Sequence, residues 1–415
     1  MAPTGKARSE WRPWRMWQPV PPTIWYLGFT SLLTDLSSEM VASVLPLFFV
    51  LQLNLSPLAF GALDGLYNGV TALTRWASGI VGDRWHRHKE VAAAGYALSA
   101  ACRLGLLAAG RDVPALAAVI ASDRLGKGIR TVPRDALISL SASREQLGQS
   151  FGVHRTLDAT GALLGPFTAF ALLAFVPGRF DVVFVTSFCV AIVGLGVLLL
   201  FVENSASAAE AVVDAGPGSL RAALDLLKGT DFRRVVVVAS GLGLLTISDA
   251  FIYLALRERV PVVTLLFPLL YVGTAVFYLL LAIPIGRLAD HWGRSRVFLI
   301  GHGVLLALYG LLLAPAPHTL GLLLSVALLG TYYAATDGVT VALASGILPG
   351  PLRGSGLAIL TTATSLSRLI ASVAFGWAWT TIGKDVAIAS FGVALTIGIV
   401  LASMVLGRYE RIVDA

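Results

Sequence analysis

The stretch Asp123-Arg124-Leu125-Gly126-Lys127-Gly128-Ile129-Arg130-Thr131-Val132-Pro133-Arg134-Asp135 decides how this chain is read. Apolar runs flank it, Val113–Ala121 before and Ala136–Leu140 after, so the whole is long enough to cross a bilayer. Yet it carries six charges: Asp123, Arg124, Lys127, Arg130, Arg134 and Asp135. On a helix advancing about 100° per residue, all six fall within an arc of roughly 140°. Leu125, Ile129, Val132 and Ala136 keep the opposite side apolar. A charged stripe on a spanning helix cannot face lipid, because each charge at mid-bilayer costs about 2.5–3.5 kcal/mol on insertion scales. The stripe must face water in a cavity or opposite charge on neighbouring helices.

The chain of 415 residues is 56% hydrophobic and only 13% charged, against about 25% charged in soluble domains. It therefore reads as an all-α membrane protein lying in a lipid bilayer. A window of about 20 residues predicts twelve transmembrane helices, near 24–52, 58–82, 90–110, 113–141, 147–176 and 180–202, then 233–257, 262–288, 295–315, 319–347, 354–382 and 386–407. The expected organisation is a cytoplasmic segment 1–22, a first six-helix bundle 23–203, a linker 204–231 with an amphipathic piece, a second bundle 232–407 and a tail 408–415. Residues 1–22, with Trp11, Trp14 and Trp17 between arginines, read as interfacial. A cleavable signal is not expected, because the apolar run that follows is too long and contains Asp35 and Glu39.

The net charge of +7 does not point to nucleic acid, since the bases sit mainly in short loops. Arg84, Arg87, Lys89, Arg144, Arg221, Lys228, Arg233, Arg234, Arg294, Arg296 and Arg353 fall in the even loops. Lys6, Arg8, Arg12 and Arg15 precede the first span, and Arg408 and Arg411 follow the last. The odd loops hold only Arg111, Arg179, Arg257, Arg259 and Lys384. This bias puts both termini in the cytoplasm and the protein in the plasma (cell inner) membrane. Cys102 and Cys189 lie in apolar runs and form no disulfide framework.

The two halves repeat. Gly79-x-x-x-Asp83-x-Trp85-x-Arg87-x-Lys89 matches Gly286-x-x-x-Asp290-x-Trp292-x-Arg294-x-Arg296, and Thr34-Asp35 has a counterpart in Ser248-Asp249. Arg134-Asp135 has one in Thr336-Asp337. Such repetition implies two pseudo-symmetric six-helix bundles with a substrate site at their interface.

On these residues the chain resembles the major facilitator superfamily. The family's loop motif G-x-x-x-D-[RK]-x-G-[RK]-[RK] is similar to Gly79-Ile80-Val81-Gly82-Asp83-Arg84-Trp85-His86-Arg87-His88, with His86 in place of glycine. Its fourth-span motif R-x-x-x-G resembles Arg124 and Gly128. Its antiporter motif G-x-x-x-G-P-x-x-G-G is met by Gly161, Gly165 and Pro166, with Ala169 and Phe170 where the last two glycines stand in the family. The resemblance covers essentially the whole chain. It implies the family's fold, alternating access and the proton-coupled (drug/proton) antiporter branch. The substrate remains open.

Asp35 and Glu39 lie at i, i+4 on the first span and share a face. A carboxyl whose solvation and cationic neighbours change with conformation changes its proton affinity, so Asp35, Glu39 and Arg124 are the expected proton-coupling set. A static salt bridge between the first and fourth helices is the competing reading. The expected substrate cavity takes Lys127, Arg130, Arg134, Asp135, Asp158, Asp64 and Tyr67 from the first half, with Asp249, Asp337 and Arg368 from the second. Its near balance of sign favours an internal ion-pair network. Gly79, Asp83, Arg84, Arg87, Gly286, Asp290 and Arg294 are expected to form a cytoplasmic gate, the carboxylates meeting helix N-termini and arginines of the other half.

No His/Cys spacing suits a tight metal site, and there is no phosphate-binding loop or catalytic constellation. An enzyme and a cofactor are not expected. The function read from all this is a proton-coupled secondary transporter, exporting a small organic solute and working as a monomer. The alternatives are transport of an organic anion through Arg124, Arg130 and Arg134, transport of a divalent metal through Asp35, Glu39 and His154, and a non-transporting receptor or scaffold.

Overall fold

The structure, a computed structural model, describes residues 20–70, 87–143, 146–203, 225–260, 263–315, 318–349 and 352–413. Gly79, Asp83 and Arg84 of the first gate motif, the tryptophans of residues 1–19 and most of the linker lie outside the described residues. The first half comprises α1 (Pro22–Leu47), α2 (57–70), α3 (His88–Ala108), α4 (Val113–Ser141), α5 (Leu147–Phe175) and α6 (Phe180–Phe201). The second comprises α7 (Thr230–Gly243), α8 (Asp249–Arg259), α9 (Val263–Trp292), α10 (Arg294–Leu313), α11 (His318–Ile347), α12 (Arg353–Ile382) and α13 (Lys384–Val413). No strand occurs among the described residues.

Nine of these helices are long and apolar enough to cross a membrane. The other three expected spans are explained by their residues. α4 carries the charged stripe, and α2 is described only over 57–70. The seventh span, expected to be continuous over 233–257, is broken into α7 and α8. The break follows from Gly241 and Gly243, then Thr246 and Ile247, all weaker helix formers than leucine or alanine. Ser248 is extended (φ −67°, ψ 152°) and starts α8 with Asp249 in the first turn, where a carboxylate meets the positive helix end. The Ile247 amide freed by the break donates to the Tyr309 hydroxyl at 2.7 Å, and that hydroxyl donates to the Leu245 carbonyl at 3.2 Å. An α10 side chain thus replaces the missing helix bonds.

The halves pack alike. α3 lies on α4 and α6, as α10 lies on α11 and α13, and one aliphatic and aromatic core cluster runs through both halves, with a second, smaller one in the first half. The tightest seam is between α1 and α5. A Cβ at Gly165 would stand 2.8 Å from the Leu36 carbonyl and 2.7 Å from the Glu39 Cβ, so only glycine fits.

The halves meet at the end of the bundle remote from both termini, where α1 finishes and α2 begins. Phe60, Phe251 and Phe375 stack edge to face with centroids 4.8 and 4.9 Å apart. The Leu58 amide donates to the Thr380 hydroxyl at 3.1 Å, and Gly65 admits the Leu369 carbonyl to 2.8 Å from where a Cβ would be.

Candidate functional site

The stripe on α4 is buried and almost wholly neutralised inside the first half. Asp123 accepts Arg103 Nη1 from α3 at 2.7 Å and Arg124 Nε at 3.0 Å, with Arg124 Nη2 on the same carboxylate. Arg103 also donates to Ser38 of α1 at 2.9 Å. Burying such charges is tolerable only because each is both paired and hydrogen-bonded. Two arginines add a ring face: Arg124 sits 3.9 Å from the Tyr67 centroid and Arg130 4.6 Å from the Tyr96 centroid.

About two turns further along, Arg130 reaches Asp35 of α1 at 3.4 Å. Arg134 holds Asp135 through two bonds of 3.0 and 3.1 Å, donates to Ser31 at 3.4 Å and lies 3.7 Å from Asp158 of α5. Ser31 is also bonded to His154 Nε2 at 2.8 Å, which ties α1 to α5 again.

A cavity of about 390 Å³ lies between the halves, bounded by the aromatic seal at one end. That volume falls within the range of ordinary small-molecule pockets. Glu39, Asp64, Arg124 and Lys127 charge the first-half wall, and Asp249 and Arg368 the second. Tyr67, Tyr271 and Tyr333 add aromatic faces, and Phe49 and Phe60 an apolar end. Asp249, at the α7/α8 break, accepts the Tyr333 hydroxyl at 2.6 Å. Asp64 accepts the Ser372 hydroxyl at 2.7 Å across the half interface. A side cavity of about 250 Å³ opens within the second half, where Arg368 lies 3.6 Å from Asp337. Arg368 borders both spaces.

The structure brings seven of the singled-out residues into the central cavity: Glu39, Asp64, Tyr67, Arg124, Lys127, Asp249 and Arg368. Arg130, Arg134, Asp135 and Asp158, expected there, turn instead into the first half, and Asp337 into the side cavity. Asp35 pairs with Arg130 rather than with Arg124, whose partner is Asp123. Among the described residues, Asp290 of the second gate motif is held by Arg294 of its own half, at 3.0 and 3.2 Å. Arg294 also donates to the Ala342 carbonyl at 3.0 Å, locking the α9–α10 turn onto α11, and Gly286 has open space around it. Arg87 stands just before α3. Gly161 and Gly165 of the fifth-span motif face α1, and Pro166 is buried.

Sequence reasoning missed Ser372, Tyr309 and the phenylalanine seal. The phenylalanines look like ordinary span residues, and Ser372 and Tyr309 act across 308 and 62 positions. The spacing of Gly61 and Gly65 on α2, which face α12, is the signal that would have located the seal.

The sequence profile of the Major Facilitator Superfamily matches residues 27–270 and 262–412. An uncharacterized MFS-type transporter of Methanocaldococcus jannaschii is 29% identical over 368 residues, which is 86% of this chain and 88% of that one. An uncharacterized protein of Mycobacterium tuberculosis is 35% identical over 148 residues, 35% of this chain and 36% of its own length. Among solved structures, a mutant of the nucleoside transporter NupG superposes with a TM-score of 0.80 at 14% identity, covering 92% of this chain and 99% of that one. A D-xylose-proton symporter superposes with a TM-score of 0.68 at 17% identity, covering 92% and 96%. These two likenesses are of fold.

Proposed function

This chain belongs to the Major Facilitator Superfamily, and we propose that within it the protein is a proton-coupled antiporter that exports a small polar organic solute by alternating access. The observation that carries this reading is the central cavity: both halves wall it, with charges of both signs, and it is sealed at one end. Two bundles that rock about such a site expose it to each side in turn. With the termini in the cytoplasm and the protein a monomer in the plasma membrane, the seal lies on the outer side and the solute enters from within.

Three acids and three bases line the cavity, so a solute bearing polar groups of both signs, or many hydrogen-bonding groups, suits it better than a simple anion. The nucleoside and D-xylose transporters that share the fold also take small polar organic solutes. The divalent-metal alternative lacks a converging donor set: His154 bonds Ser31, Asp35 pairs with Arg130, and Glu39 faces the cavity. Coupling is assigned to Glu39, which lines the cavity with Arg124 and Lys127, and to Asp35, which pairs with Arg130.

The test is accumulation of labelled solutes in proteoliposomes. An acidic lumen should drive uptake of an antiported solute, whichever way the protein inserts. Uptake driven by an alkaline lumen would replace antiport with symport. Uptake indifferent to either gradient would end the proton-coupled reading.

A further inference from the structure

The aromatic seal and the solute cavity share one side chain, Asp64. On α2, Gly61 and Gly65 form a stripe against α12. The Ser372 carbonyl stands against the place of a Gly61 Cβ, and the Leu369 carbonyl 2.8 Å from that of a Gly65 Cβ. On α12, Leu369, Ser372, Gly376 and Thr380 stand at i, i+3, i+7 and i+11 and share one face. The Pro57 carbonyl packs against Gly376, and the Leu58 amide donates to Thr380. The seam is thus a contact of two helix backbones, one from each half. Among the described residues two hydrogen bonds cross it: Leu58 to Thr380, and the Ser372 hydroxyl to the Asp64 carboxylate at 2.7 Å.

Along α2, Phe60, Asp64 and Tyr67 stand at i, i+4 and i+7, so they share the edge beside the glycine stripe. All three line the central cavity. Ser372 is 1% exposed and lies behind that lining. The other two cavity acids differ from Asp64: Asp249 accepts Tyr333 of its own half, and Glu39 makes no bond across the halves among the described residues. Two of the three cavity bases already have acids beside them, Arg124 with Asp123 and Arg368 with Asp337 at 3.6 Å. Asp64 forms no ion pair with a base among the described residues.

A solute donor that reaches Asp64 competes with Ser372 for the carboxylate. A neutral hydroxyl would exchange one bond for its equal. An ammonium adds the attraction between two full charges, which a cavity of reduced dielectric strengthens. We propose that Asp64 transmits solute binding to the seal: an ammonium group of the solute draws the Asp64 carboxylate from Ser372, and α2, freed of that bond, parts from α12. The occupant is therefore a solute with a primary or secondary ammonium group. This rests on the alternating-access reading above and is independent of proton coupling. A solute shifts an equilibrium only through its differential affinity for the two states. Here the difference is the Ser372 bond, which the ammonium has to break in the sealed state and not in the opened one. An empty cavity keeps the seal shut, and a loaded one releases it.

The test uses the full chain in nanodiscs, with Cys102→Ala and Cys189→Ala and spin labels at Arg111→Cys and Val386→Cys. Both positions are exposed, at the sealed end, one on each half. Electron-spin distances should show mainly the short, sealed separation. Ser372→Ala and Asp64→Ala, which remove donor and acceptor, should raise the ratio of open to sealed protein by at least about tenfold without solute. Asp64→Asn keeps an acceptor for Ser372 and should stay sealed. The probes are ethylamine, 2-phenylethylamine and putrescine, each beside the alcohol of the same skeleton. At least one amine should lengthen the separation in wild type, its alcohol should not, and Asp64→Asn should ignore both. If Ser372→Ala and Asp64→Ala keep the wild-type distances, even with a lowered Tm, the bond is packing alone and the latch is overturned. Should one of the two not fold, the other carries the same readout. If no amine moves wild type, if amine and alcohol move it equally, or if Asp64→Asn responds as wild type does, the ammonium's part is overturned. Solutes that accumulate while these distances stay fixed would remove the latch and leave transport standing.

Discussion

Replacing Gly161 by alanine tests the α1–α5 seam. A Cβ there would lie 2.8 Å from the Leu32 carbonyl carbon, 2.9 Å from its Cα and nearer still to its carbonyl oxygen. Carbon contacts are comfortable at about 3.5–4.0 Å, so the new methyl is short by roughly 0.7 Å. The obstacle is helix backbone, which cannot rotate aside as a side chain end would. Either α5 moves off α1 or the methyl is strained, at a cost of about 1–3 kcal/mol, partly offset by the roughly 0.5–1 kcal/mol that alanine gains over glycine in a helix. For a chain of 415 residues, an unfolding entropy of about 2.1 cal/mol/K per residue makes the fall in Tm roughly 1 °C per kcal/mol, so about 1–2 °C. The control is Gly303→Ala on α10, where nothing lies within 4 Å of the added Cβ. That change should leave Tm level or raise it. Thermal unfolding of both variants in detergent, at one scan rate because such unfolding is seldom reversible, reads the difference. If Gly161→Ala is as stable as Gly303→Ala, the close approach of α5 to α1 is refuted.

Asp123→Asn should be among the most damaging single changes, because it removes the buried carboxylate that both Arg103 and Arg124 pair with: breaking such a pair costs about 3–5 kcal/mol. Asp181→Asn, which frees the exposed Arg179, should leave Tm unchanged; equal losses in the two variants would contradict the burial of the α4 stripe. At the sealed end, a Leu58→Cys/Thr380→Cys pair in a background lacking Cys102 and Cys189 should cross-link on oxidation and stop transport, with recovery on reduction. Full transport by cross-linked protein would show that this end does not open.

The architecture was legible because hydrophobic length and repetition are chain-local signals, and the α4 stripe was legible because six charges in an apolar setting have few explanations. Which charge meets which partner was not. The six span about 140° of helix surface, enough to face two different neighbours. Arg130 and Arg134 point toward α1 and α5, whereas Arg124, some 80–120° round the helix, faces Tyr67 and the cavity. Reading the stripe as one face therefore gave Asp35 the wrong arginine. The break between α7 and α8 was hidden because Leu244, Leu245 and Ile247 keep the window apolar, while the group that makes the break tolerable, the Tyr309 hydroxyl, lies 62 positions away.

Asp158 is the instructive case, since its surroundings were partly written in local spacing. Asp158, Gly161 and Gly165 stand at i, i+3 and i+7, so they share one face of α5. Two glycines on the face of a membrane helix mark close approach of another backbone. An acid on that same face is thereby pressed against the neighbouring helix and kept from the open cavity. The spacing alone thus implies that this face of α5 meets another backbone, and what it withholds is that the backbone is that of α1 and that Asp158 reaches Arg134 of α4 at 3.7 Å.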